Sequence, residues 1–165
     1  MKFGLQTLTC SLVALALAAQ SASAAQLAEK KALTLEVIKQ IVAAAEKEAA
    51  NNKWNMFIAI VDDGGNLVYL ERMDEAQLGS GEVAPQKARS ALMFKRPTKV
   101  FEDALVGGRQ AILKLPGALP IEGGIPLMAD GKFIGAIGVS GGTSQQDGVV
   151  AQAGVNALAG ILSSK

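Results

Sequence analysis

A chain of 165 residues that is 50% hydrophobic and only 4% aromatic, with a formal net charge of +1, has the make-up of one small globular domain. The near-neutral balance supplies no basic field, which argues against nucleic acid as a partner. Histidine is absent, so a Ser-His-Asp triad, a Cys-His dyad or an ordinary zinc site cannot be built.

The chain opens with Lys2, an apolar run from Leu8 to Ala19 and the small residues Ala22-Ser23-Ala24. This order predicts a cleavable secretory signal over residues 1–24, because the run is shorter than the roughly 20 residues that a membrane-spanning helix needs. The domain then occupies 25–165, with a periplasmic or secreted location and no membrane span after cleavage. Cys10 is the only cysteine and leaves with the leader, so no disulfide or thiol remains and burial alone must hold the domain together.

From Leu33 to Ala50 apolar residues recur at helical spacing, with Val37, Ile41, Ala44 and Ala45 flanked by Ile38 and Val42. Thr34 suits the N-cap, and Glu36, Lys39, Gln40, Lys47 and Glu48 form the opposite, solvated face. Met56 to Val61 is a nearly unbroken apolar strand, expected to be buried on both faces. Asp62-Asp63-Gly64-Gly65-Asn66 turns it into Leu67 to Met73, making a hairpin. A helix follows over Gly81 to Phe94 with Pro85 in its first turn and Ala84, Ala88, Ala91 and Leu92 as its buried stripe. Lys87 lies at the edge of that stripe, where it either snorkels to water or projects into a pocket as an anion holder.

Lys95-Arg96-Pro97-Thr98 ends this helix, and Thr98 is placed to cap the next one, Lys99 to Val106, which Gly107-Gly108 stops. Lys87, Arg89, Lys95, Arg96 and Lys99 make a local basic group that is either a solvated face or a seat for carboxylates. A second hairpin, Ile125 to Ala129 and Lys132 to Val139, turns on Asp130-Gly131, whose central residues accept positive φ. Gly135 and Gly138 in its second strand predict a bulge or a very close neighbour, which could be a helix or a ligand. The last helix, Gln145 to Leu162, should bury Val149, Val150, Ala153, Ala157 and Leu158.

Two hairpins separated by helices argue for an α+β domain with a central antiparallel sheet flanked by helices. Ser140-Gly141-Gly142 leads into the last helix, and Thr143 with Gln146 reads as a capping box. Such a turn aims backbone N–H groups and the positive end of a helix dipole outward, which suits an anion. A small-anion site would join Gly141, Gly142 and Thr143 with the Gly123-Gly124 backbone and Lys87. Alternatively, the glycines only permit the sharp reversal. Asp62, Asp63, Glu71, Glu122 and Asp147 are the acids available to a paired-carboxylate mechanism, although Asp63 suits a solvated loop and Asp147 is stabilised by the dipole whatever its role. No P-loop, G-x-G-x-x-G or EF-hand pattern is present.

Ile-Val-Asp-Asp-Gly-Gly-Asn-Leu, Gln-Lys-Ala-Arg-Ser-Ala, Phe-Lys-Arg-Pro-Thr-Lys, Glu-Gly-Gly-Ile-Pro-Leu and Ile-Gly-Ala-Ile-Gly-Val-Ser-Gly-Gly-Thr together resemble the GlcG/HbpS family of haem-binding-like proteins, which is related to the C-terminal domain of a corrinoid adenosyltransferase. The resemblance runs from Leu33 to about Leu158. It implies an α+β domain that assembles into homo-oligomers and, in exported members, binds haem; other members sit in glycolate-utilisation operons. If haem is the cofactor, histidine cannot ligate its iron. The matched segment offers Thr98 as an oxygen ligand to the metal, Lys95 and Arg96 as partners for the propionates and Phe94 as a contact for the ring. Tyr69, Met73, Met93 and Lys87 are the other conceivable ligands.

Two functional readings follow. One is an exported haem-binding protein that sequesters haem or serves as an accessory sensor, and is a binding protein rather than an enzyme. The other is a small carboxylic-acid binding module or enzyme built on Lys87 and the two glycine turns, with a purely structural oligomer as a further possibility.

Overall fold

In a computed structural model of the protein, residues 26–164 are described; the predicted leader, residues 1–24, lies outside them. The elements in order are α1 (Leu35–Asn51), β1 (Phe57–Asp62), β2 (Leu67–Arg72), α2 (Ser80–Phe94), α3 (Lys99–Val106), a 3-10 turn (Gln110–Lys114), β3 (Gly124–Ala129), β4 (Lys132–Ser140) and α4 (Ser144–Ser163). The sheet has the order β2-β1-β4-β3 with every neighbouring pair antiparallel. The two expected hairpins therefore share one layer, joined through β1 and β4 at its centre, and the fold is the expected α+β class. Among the described residues no helix is long and apolar enough to cross a membrane.

β1 is buried along both faces, as its unbroken apolar sequence requires, because helices cover the sheet on each side. Its Ile58 and Ile60 join Ile38, Ile41 and Val42 of α1, Ile137 and Val139 of β4, and Val150 and Leu158 of α4 in one aliphatic core. The other face is thinner: Phe57, Ala59 and Val61 meet Ala84, Ala88, Ala91 and Leu92 of α2. Gly138 explains how α2 comes so close. A Cβ there would press on the Ala84 carbonyl oxygen and lie 2.6 Å from the Ala88 nitrogen, so a helix and not a ligand fills the gap. Gly135 marks the other expected feature, since the β3–β4 register shifts beside it, between Leu127 and Met128. Asp130 and Gly131 take φ of 50° and 72° at the hairpin tip, as the turn demands.

Several local expectations change. α2 begins at Ser80, held by the Gln77 side chain at 3.0 Å, which places Pro85 beyond the first turn. The α4 stripe is Val150, Ala151, Gly154 and Leu158, whereas Val149 is exposed. Gly154 sets that rotation, for it lets α4 settle against Ile137 and Ile41. The 3-10 turn after α3 has no counterpart in the sequence pattern.

Candidate functional site

The polar centre of the molecule lies where β3 begins. α2 supplies Lys87 and the first turn of α4 supplies Asp147; Lys87 Nζ donates to Asp147 Oδ2 at 2.6 Å with the side chains 1% and 3% exposed. The other carboxylate oxygen, Oδ1, accepts the Gly142 N–H at 3.0 Å. Gly123, with φ of +123°, passes alongside; a Cβ there would stand 2.8 Å from Asp147 Cβ and 2.9 Å from Lys87 Nζ, so only glycine fits. Burial pushes the Asp147 carboxyl up, while Lys87 and the amides of Gly142 and Gly141 pull it back down.

The residues predicted to hold a small anion are thus brought together, and the anion among them is the protein's own Asp147. Thr143 is engaged as well: its N–H donates to Gln146 Oε1 at 2.9 Å, and its Oγ1 accepts the Gln146 N–H, completing the capping box. The Gly124 N–H goes to Thr98 Oγ1 at 3.0 Å. Lys87 neither snorkels nor faces an open pocket. One local signal pointed to this arrangement, an acid four residues past the cap of a glycine turn, and its dipole stabilisation alone hid the pairing with a lysine 60 residues away.

The residues expected around haem separate. Thr98 stands at the N-cap position of α3 but its side chain makes no cap there; instead it ties the Gly124 N–H, while its own N–H donates to the Gly124 carbonyl at 2.9 Å. Thr98 is fully buried, with its hydroxyl oxygen engaged by the Gly124 N–H. Phe94 packs edge-to-face on Phe101 with centroids 5.1 Å apart, and the Arg96 guanidinium lies 5.9 Å from the Phe101 ring centre. Phe94 and Arg96 line a small cleft of ≈ 170 Å³ with Arg109 and Leu115. Lys95 points to a different groove, where its Nζ sits 5.6 Å from the Phe133 ring centre. The basic group is dispersed too: Lys99 pairs with Asp103 at 2.7 Å and Arg89 Nε donates to the Gly65 carbonyl.

The remaining acids have local duties. Asp62 accepts the backbone N–H groups of Gly64 and Asn66 and shapes the first hairpin; hydrogen bonding from the Asn66 side chain, first among the causes, holds its carboxyl below the ordinary range. Asp63 pairs with Lys30 at 2.6 Å, and Glu71 accepts the Tyr69 hydroxyl. Glu122 lies over Gly148 beside Lys99 at a cleft of ≈ 340 Å³, and burial pushes its carboxyl up. Among the described residues no cluster of three or more acids could hold a metal ion.

A concavity of ≈ 550 Å³ opens between the two hairpin tips and the end of α2, lined by Asp63, Leu92, Met93, Lys95, Lys132 and Phe133 among others. Lys95 caps α2 in the left-handed conformation at φ 55°, a place that glycine usually takes. Two lysines and an aromatic ring on an open wall suit a flat, partly apolar anion, whereas the buried centre suits none.

Fold and surface together define a small α+β domain with a self-neutralised polar centre and a cationic, partly apolar groove outside it. The chain belongs to the HbpS-like family, described as haem degrading protein HbpS-like, whose sequence profile it matches over residues 33–156. It is 41% identical over 111 residues to protein GlcG of Escherichia coli strain K12, an overlap of 67% of this chain and 83% of GlcG. It is also similar to the crystal structure of Klebsiella pneumoniae protein ORFY, with a TM-score of 0.75 and 31% identity over 83% of this chain and 98% of that one. The PduOC:haem complex aligns with a TM-score of 0.71 and 33% identity, covering 77% and 95% of the two chains.

Proposed function

We propose that the protein is an exported haem-binding protein which holds haem on its surface, to sequester it or to report on it, and that the leader of residues 1–24 delivers it to the periplasm or beyond. The observation that carries this reading is the occupied polar centre: Asp147 already takes Lys87 and the Gly142 amide, which leaves a small carboxylate no internal seat. Membership of the HbpS-like family and the likeness to a haem complex support haem as the ligand. When bound, haem supplies the iron chemistry. This chain contributes an apolar wall, cations for the propionates and a shape that keeps the ring at the surface.

The test is titration of haemin into the chain from Ala25 onward, followed by absorbance. A saturable shift of the Soret band near one haem per chain is expected. A featureless, non-saturable change would refute the reading. Tight, saturable glycolate binding to the wild-type protein, with no Soret shift, would favour the small-acid alternative instead.

A further inference from the structure

We infer that the outer edge of β2 is an interface between copies of this chain: two β2 strands pair antiparallel about a two-fold axis at Leu70 and join their four-stranded sheets into one. The two edges of the sheet are finished differently. On β3 the alternation of the ladder turns Gly124 and Pro126 outward, since Ile125 faces Ile137 and the Val139 N–H donates to the Gly123 carbonyl. Thr98 takes both backbone groups of Gly124, and Pro126 has no N–H to offer. That edge is closed within the chain.

β2 has no such finish. The Met73 N–H donates to the Met56 carbonyl at 3.0 Å, and Glu71 and Tyr69 stand opposite Ile58 and Ile60, so the same alternation turns the N–H and C=O of Leu70 and Arg72 away from β1. Among the described residues no backbone group outside the sheet pairs with them. Charged side chains often guard an open edge, yet those of β2 are held by their own chain. Glu71 accepts the Tyr69 hydroxyl, and the Arg72 guanidinium donates to the Ala76 carbonyl and lies over the Phe57 ring. What the strand shows to solvent is apolar, with Leu67, Val68 and Leu70 40%, 41% and 43% exposed.

Register selects a second copy of the strand as the occupant. With Leu70 on the axis, its N–H and C=O meet those of the partner's Leu70, the two leucines touch, and Tyr69 lies across from the partner's Glu71. A slip of two residues one way sets Glu71 against its own copy. The opposite slip runs Leu70 onto the bulge at Val68, where the β1–β2 register shifts. Charge and shape therefore favour one alignment.

The experiment uses the chain from Ala25 onward, which holds no cysteine. Sedimentation compares wild type with Leu70→Pro, which removes an N–H that β1 does not use. Copper-phenanthroline oxidation compares Leu70→Cys with Val106→Cys, an equally solvent-facing site at the far end of α3. Wild type should form dimers or multiples of dimers, with a dissociation constant weaker by about tenfold or more in Leu70→Pro. Leu70→Cys should cross-link at least about tenfold faster than Val106→Cys, because paired Cα atoms about 5.5 Å apart are within disulfide reach. A monomeric wild type would overturn the proposal and leave the edge to a strand of another protein. Cross-linking of Leu70→Cys no faster than that of Val106→Cys would overturn it whether or not Leu70→Pro folds, which circular dichroism reports.

Discussion

The two faces of the sheet are held by different physics. Toward α1 and α4 the contact is aliphatic, with Ile38, Ile41, Ile58, Ile60, Ile137 and Leu158 interlocked, and its strength is area removed from water. Toward α2 the layer is rich in alanine and glycine beside Phe57, Val61 and Leu92 and is tied by polar groups: Lys87 to Asp147, Thr98 to Gly124, and Ser140 Oγ to Ser80 Oγ at 3.1 Å. The first face tolerates some change of shape because side chains can adjust. The second sets backbone against backbone and fixes where α2 ends, which is where Met93 and Lys95 leave the helix. On this account the polar seam is structural and the binding groove is its outer consequence.

That contrast can be broken at three points of decreasing effect. Lys87→Met leaves Asp147 buried without its cation and should lower unfolding free energy by about 3–5 kcal/mol, measured by urea denaturation; adding Asp147→Asn should restore part of the loss. A smaller effect is expected from Gly138→Ala, which drives a methyl into the α2 backbone and should destabilise by about 1–3 kcal/mol. Its counterpart Gly160→Ala, in open space on α4, should be neutral or stabilising by up to about 1 kcal/mol. The smallest effect concerns pH. Asp62 is held below its ordinary value near 3.8, so its hydrogen bonds stabilise the fold above that value and the contribution fades as pH falls toward the folded-state value. The gap in melting temperature between wild type and Asp62→Ala should therefore narrow in acid.

Much of this frame was legible in the residues. Apolar runs placed both hairpins, Thr34 and the Thr143–Gln146 box placed two helix starts, and Asp130-Gly131 placed a turn, because each depends on chemistry within a few residues. The site was legible in its parts and not in its assembly. Lys87, Gly123, Gly142 and Thr143 do converge, yet nothing local tells that Asp147 will take the anion's place. Thr98 shows the same limit: its cap position was correct, but its hydroxyl goes to a strand 26 residues away. Met93 was readable only as a residue pointing away from the helix stripe, since the groove it borders is made by Phe133 and Lys132 from the far hairpin.

The most direct measurement is a methyl spectrum of the protein labelled at its methionines, recorded with and without one equivalent of ferric haem. Haem held at the surface should broaden or displace the methyl of an exposed methionine, Met93 or Met128, and leave that of buried Met56 nearly unmoved. Exposed methionine methyls left unmoved, with Met56 and the Gly124 and Thr98 amides perturbed in their place, would contradict the account.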